Sequence, residues 1–260
     1  MCIRDSGKSV LSDRTCRFPD LISVPVQIRG ELFGILLVAR KKDRGGFDRD
    51  DEFILNFLAE KAALNVENMA LYHNLKENMF ATLASLVSAI EARDRYTQQH
   101  SERVTHLALE IAYELKCHPD ELRKIESAGP LHDMGKIGID DHILKKPGRL
   151  TAEEFEVIKT HPIIGVNIVS HLQLDDDQLA IIRNHHERWN GTGYPDGLKG
   201  EEIPKLARIL SVADAFDAMN SDRAYRHRLT SAQCLEELEK NAGTQFDPEI
   251  VSAALRVLKF

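Results

Sequence analysis

Cysteine is scarce in this chain. Cys2, Cys16, Cys117 and Cys234 lie far apart and form no CxxC pair, so they read as free thiols in a reducing compartment. At 260 residues the chain is long enough to bury a core without disulfide staples. No apolar run approaches the ~18 residues needed to span a bilayer. The first residues also lack the apolar stretch of a signal peptide. The expectation is a cytoplasmic location with no membrane contact within this stretch. Basic charge is short as well: 34 Lys and Arg against 41 Asp and Glu leave a net −7. That is a poor footing for a nucleic-acid polymer, which relies on a basic face. It leaves room for a small anionic substrate at a local cationic site. No repeat of fixed period is visible.

Glycine and proline are missing from Phe47 to His118, which excludes a loop-rich middle. Before that gap, Ile22 to Ile28 and Leu32 to Ala39 are β-branched and aliphatic, with Arg29-Gly30 between them as a hairpin signal. Asp48 then offers an N-cap, and Asp50, Asp51 and Glu52 suit the positive end of a helix. One apolar stripe runs through Ile54, Leu58, Ala62, Val66 and Met69, and a second through Phe80, Leu83, Val87 and Ile90. They predict helices over about Asp48 to Asn74 and Lys76 to Asp94, separate or joined as one rod. Further helices are expected over about Gln98–Lys116, Asp120–Leu131, Ala152–Lys159, Pro162–Leu172, Asp176–His185, Pro204–Asn220, Ser231–Lys240 and Pro248–Leu258. The Gly- and Pro-bearing stretches "KKPGRLT", "WNGTGYPDGLKGEEIP" and "NAGTQFDP" separate several of them. The fold class is mainly α.

Candidate metal donors are His100, His132, Asp133, His161, His185, His186 and Asp214. Taken singly, each has a bland reading as a solvated or internally satisfied side chain. The pair His185-His186 says more, because two neighbouring imidazoles at the end of an apolar helix are costly to bury without a partner. Imidazole nitrogen with carboxylate oxygen suits borderline and hard divalent ions such as iron or manganese. Donor sets without cysteine rarely serve as structural zinc. The other histidines, His73, His106, His118, His142, His171 and His227, read as surface or structural. Trp189 and Tyr194 are equally readable as base-stacking rings or as packing anchors.

The blocks "LHDMGKIG", "HHERWNGTGYP" and "VADAFDAM", with "EARDRYTQQHSERV", "ILKKPGRLTAEE", "THP" and "SDRAYR" around them, resemble in order the HD-GYP family of bacterial cyclic dinucleotide phosphodiesterases. The resemblance covers about residues 76–260 and implies an all-helical HD-type domain. It implies that the five histidines bind metal, that Asp133 bridges two ions and that Asp214 is the last ligand. It places Lys136 near the scissile phosphate and makes Arg223 and Arg226 a phosphate clamp. Asn190, Gly191, Gly193, Tyr194 and Pro195 fall in the loop that names the family, with Gly193, Tyr194 and Pro195 beside the substrate. Two ions, iron or manganese, about 3.5–4 Å apart in comparable sites, clamp an in-line displacement at phosphorus. Asp133 and Lys136 are the catalytic pair on this reading. The implied reaction is hydrolysis of cyclic di-GMP to pGpG or onward to GMP. The alternatives are another cyclic dinucleotide such as cyclic GMP-AMP, or a non-catalytic sensing module.

Some positions depart from the family pattern. Tyr96 stands where members with a third metal carry glutamate, which implies two ions here. Asn190 replaces a common Asp, and Ala224 a common Pro; neither removes a ligand. Residues 20–74 resemble the last part of a GAF sensory domain, through two strands, "GGFDRDDEFI" and a helix with "VENMALYHNL". The chain is therefore expected to pair a β-hairpin and long helix from a truncated α/β domain with the helical domain. Residues 1–19 are expected to be a disordered or artefactual start, the natural protein beginning earlier. The rod is expected to form a homodimer, with signalling proteins as further partners.

Overall fold

A computed structural model describes residues 16–18, 21–39, 47–91, 99–221 and 228–259. The chain forms two compact units that divide between Met79 and Phe80. The first carries an antiparallel sheet of β1 (Cys16–Phe18), β2 (Leu21–Ile28) and β3 (Glu31–Ala39), in that order. Residues 16–18, inside the stretch expected to lack structure, pair Cys16 with Ser23 and Phe18 with Leu21. They thereby supply the ladder partner that one edge of β2 would otherwise lack. The hairpin turns on Arg29 and Gly30, at φ 53° and 82°, the doubly positive pair of a tight turn that follows the strands' twist. The ladder shifts register after Val26, which faces Gly34, while Gln27 faces Leu32. The shift leaves Phe33 unpaired and 65% exposed.

Ile22, Val24 and Ala59 form the small core of this unit, with Val26, Leu36, Val38, Phe47 and Leu55 against it. The strand members alternate, as one face of a pleated sheet requires. Helix α1 (Arg49–Glu91) is a single rod of 43 residues, so the two helices predicted either side of Leu75 are one. Its start is locked reciprocally: Asp51 N–H donates to Asp48 Oδ1, and Asp48 N–H to Asp51 Oδ2. No helix among the described residues is long and apolar enough to cross a membrane.

The second unit is helical: α2 (His100–Glu114), α3 (Pro119–Ala128), α4 (Asp141–Leu144), α5 (Ala152–Ile158), α6 (His161–Val169), α7 (Asp176–Asn184), α8 (Lys205–Asn220), α9 (Ser231–Lys240) and α10 (Pro248–Leu258), all but the short α4 expected from the sequence. Helix α8 is central. It buries Leu206, Ala207, Ile209, Leu210, Val212 and Ala213, and it packs on α2, α7, α9 and α10. Predicted ends differ by one to three residues, because 3-10 turns at Gly129–Leu131 and Ser170–Leu172 finish α3 and α6. Thr151, Asp175 and Thr230 cap α5, α7 and α9, each accepting the N–H three residues on. Each cap is worth about 1 kcal/mol. Helix α2 lacks a cap of its own; Glu91 accepts the N–H groups of Gln99 and Ser101 instead.

Two glycines set the spacing at the centre. A Cβ on Gly135 would lie 1.8 Å from the His161 carbonyl oxygen and 2.5 Å from Gly165 N. Gly165 in turn has Gly135 N 3.3 Å from its own Cβ position. The 3-10 turn Met134–Gly138 therefore lies directly on α6. That contact brings Asp133 beside His161.

Candidate metal centre

All seven predicted donors converge. His100 opens α2, and His132 and Asp133 join two 3-10 turns. His161 opens α6, His185 and His186 follow α7, and Asp214 lies on α8. They form two groups of close ligand atoms: Asp133, His161, His185 and His186, and His100, His132 and Asp214. Asp133 spans both. Its Oδ1 lies 3.4 Å from His161 Nε2, while its Oδ2 lies 3.5 Å from His132 Nε2 and 3.9 Å from His100 Nε2. His100 Nε2 is 3.2 Å from Asp214 Oδ1, and the Nε2 atoms of His161 and His185 are 3.4 Å apart. His132 and His185 are fully buried.

Three histidines take their orientation from main-chain carbonyls. His132, His161 and His185 each sit just past a helical turn. Their Nδ1 atoms lie 2.8 Å from the carbonyl oxygens of Gly129, Ile158 and Ile182, three residues back. A carbonyl only accepts, so Nδ1 carries a hydrogen and Nε2 is turned inward. His100 differs: its Nδ1 lies 2.7 Å from Asp217 Oδ2.

The electrostatics keep three of the rings neutral and both carboxylates ionised, while His100 stands apart. Burial lowers His161, drives His185 well down and takes His186 to about 3, so these rings stay neutral. Burial also pulls His100 down, but bonds to Asp214 and Asp217 outweigh it and raise the ring to about 9. Burial pushes Asp133 and Asp214 up, yet their neighbours prevail and both fall well below the usual carboxylate range: Lys136 acts foremost on Asp133, and His100 on Asp214. His132 Nε2 and Asp133 Oδ1 are buried without a hydrogen-bond partner, a cost of about 1–3 kcal/mol each if nothing else binds them. Orphaned donors of this kind, with five imidazoles, two carboxylates and no thiolate, fit borderline or hard divalent cations.

The remaining predicted site residues fall as follows. Lys136 Nζ is 2.5 Å from Asp133 Oδ2, reached from a 3-10 turn. The Tyr194 ring lies 4.9 Å from His186 and 6.5 Å from His161, and a cis peptide joins it to Pro195. A Cβ on Gly193 would lie 2.3 Å from Arg188 N, so this residue must be glycine for the loop to lie flat. Gly191 takes φ +82°, and Asn190 Oδ1 accepts from Thr192 N–H and Oγ. Trp189 is a packing anchor: its ring carries the Arg208 guanidinium at 5.6 Å, and its main-chain N–H donates to the Gln245 carbonyl. His118 is structural, capping α3. Arg223 and Arg226 lie outside the described residues, as do Tyr96, Ala224 and His227.

Sequence reasoning missed three carboxylates. Glu187, nearly fully buried, accepts the N–H groups of Asp196, Gly197 and Leu198 and so holds the loop after Pro195. Asp196 accepts from Arg183 and Asn184, fastening the loop to α7. Asp217 was within reach of pattern reading, since it follows Asp214 by three on one helix and shares its face. Glu187 gave no signal, because its partners are main-chain groups.

Together the fold and the His/Asp cluster define an HD-type helical domain. Residues 84–250 match the family described as HD domain, and the chain belongs to it. Over 201 residues the chain is 45% identical to the cyclic di-GMP phosphodiesterase response regulator RpfG of Xanthomonas campestris pv. campestris, covering 76% of this chain and 53% of that protein. Over 251 residues it is 35% identical to 3'3'-cGAMP-specific phosphodiesterase 2 of Vibrio cholerae serotype O1, covering 95% of this chain and 48% of that protein. The chain thus spans about half the length of these relatives. A solved HDG"Y"P protein of Bdellovibrio bacteriovorus overlays with a TM-score of 0.55 at 18% identity, covering 94% of this chain and 96% of that one. At that identity the likeness speaks for the fold alone.

Proposed function

We propose that the chain is a metal-dependent phosphodiesterase that opens cyclic di-GMP to pGpG, or carries it on to GMP. The observation that supports this best is Asp133, whose two oxygens face two separate groups of histidines. His161, His185 and His186 would hold one ion and His100, His132 and Asp214 the other, with Asp133 shared. Such an ion pair supplies Lewis-acid polarisation of a phosphoryl group and an acidified water. Iron or manganese suits these donors.

The chain's own groups would do the rest. The Lys136 ammonium is poised at Asp133 Oδ2, where it would offset charge growing on phosphoryl oxygens. Arg223 and Arg226 remain proposed as a bidentate phosphate clamp. Tyr194, packed on His186, would close the site beside the substrate, with Gly193 and Pro195 setting its place. A second reading is cyclic GMP-AMP as substrate, favoured by the relative of that specificity that aligns over 95% of this chain. A non-catalytic sensing module fits less well, because no donor is missing.

We read residues 20–74 as the end of a GAF-like sensory domain, supported by the hairpin followed by a long helix. Work in the cytoplasm is supported by Cys117 and Cys234, buried as free thiols. The decisive experiment is turnover of several cyclic dinucleotides by anaerobically purified protein, with elemental analysis. We expect about two metals per chain and linear product. Asp133→Ala should abolish turnover and keep the helical circular dichroism. Activity near the parent's would overturn the assignment.

A further inference from the structure

His100 is the one histidine of the cluster held by a partner from a distant part of the chain. His100 opens α2, and its ring is held differently from those of His132, His161 and His185, whose Nδ1 atoms face main-chain carbonyls. Its Nδ1 instead meets Asp217 Oδ2 at 2.7 Å, across 117 positions of sequence. Asp214 and Asp217, three apart on α8, bracket the ring: Asp214 Oδ1 faces Nε2 at 3.2 Å, and Asp217 faces Nδ1.

The two carboxylates are not equivalent. Asp217 is 7% exposed, and both its oxygens are engaged. Arg103 Nε donates to Oδ1 at 2.6 Å, and Arg103 Nη2 donates to Oδ2 at 2.9 Å, the oxygen that also meets His100. Ser221 Oγ adds a long contact at 3.5 Å. A carboxylate forked by a guanidinium is held in place and has its charge offset. It is thereby kept an acceptor for imidazole and withheld from the ion that Asp214 faces.

We infer that Asp217, fixed by Arg103, is a positioning residue: it holds the hydrogen of His100 on Nδ1 and turns Nε2 toward Asp133 and Asp214. The inference rests on the reading of these donors as metal ligands. A carboxylate behind a metal-binding histidine fixes its tautomer and raises its basicity, and its loss costs 10–100-fold in metal affinity. The effect should fall chiefly on the ion that His100 would bind, because His161 and His185 in the other group take their orientation from the main chain.

The test uses the full chain and zinc as a diamagnetic probe. Chelator competition measures the two affinities, and nitrogen NMR of the imidazoles reports which ring atom of His100 binds. Asp217→Ala should weaken one ion about 10–100-fold and leave the other within about twofold. The His100 Nε2 ligation signal should be lost or mixed. Asp217→Asn, which keeps the shape and one accepting oxygen, should lie between parent and Ala, so a poorly folded Ala variant does not end the test. A purely structural Arg103–Asp217 link would lower the melting temperature of either variant and leave the His100 signal unmoved. That result, or unchanged affinities in both variants, overturns the inference. If the parent itself binds no ion, the metal reading fails instead.

Discussion

The two units invert the usual rule about what a protein hides. The helical unit buries what water should keep: His100, His132, His161, His185 and Asp217 are all among its buried residues. The N-terminal unit exposes what water should expel: on α1, Phe53 and Met69 are each 73% exposed, with Ile54, Phe57, Leu58, Leu64 and Leu71 open beside them. Buried polarity and exposed apolar surface are the informative departures. The first marks a place built to hold charge. The second is the face on which the dimer expected from the sequence would form. Phe57, Leu64 and Leu71 are spaced by seven, the repeat of a helix seam.

The sharpest way to press this contrast is one substitution made in both units. Gly135→Ala in the helical unit forces a methyl into the His161 carbonyl. It should cost about 3 kcal/mol or more by urea unfolding, the upper end for overpacking. It should also lower metal occupancy, since the same contact places Asp133. Gly34→Ala on β3 meets nothing within 4 Å and is the counterpart described last.

Next in size is the pH response of chelator-treated protein. His161, His185 and His186 are held below their ordinary value, so the unfolded chain binds more protons below about pH 6.5 and stability falls with acid. His100 is raised from 6.5 to about 9. Its contribution is complete below pH 6.5 and lost as pH climbs to about 9, on the order of 3 kcal/mol. Urea titrations at pH 5, 6.5 and 9 should therefore show a maximum near the middle value. A monotonic rise to pH 9 would contradict the pairing of His100 with its carboxylates.

A smaller effect is expected on α1. Light scattering of the parent should show concentration-dependent dimers, and Leu64→Lys with Leu71→Lys should weaken them at least about tenfold, near 1.4 kcal/mol. Metal content should not change. Smallest is Gly34→Ala, which should be neutral or stabilise by up to about 1 kcal/mol, because the strand loses a glycine's entropy cost and gains no clash. Equal effects of the two glycine substitutions would erase the distinction between the units.

Much of this was readable in advance, for physical reasons that differ by element. The hairpin announced itself through Gly30, which tolerates positive φ at no steric cost, although Arg29 adopts it too. The stripe of Leu83 and Val87 is buried as its period implied. The stripe of Ile54, Leu58, Val66 and Met69 is not: the face of α1 that is buried carries Ala59 and Ala63. Periodicity identifies an apolar face but not whether this chain covers it. Donor identity was readable from motif order, and Asp217 was within reach through its spacing after Asp214, whereas Glu187 was not, because its contacts are with main-chain atoms. The turn at Met134–Gly138 was hidden for the same reason: its shape is set by Gly135 and Gly165 meeting across thirty residues.

The main-chain supports of His132, His161 and His185 have a consequence for inheritance. A carbonyl is specified by no codon, so no single substitution deletes the group that orients these three rings. Asp217 is specified by one. Variation can therefore reach the support of His100 while that of the other three rings stays insulated, and descendants of this chain can retune one ring of the cluster without dismantling the rest.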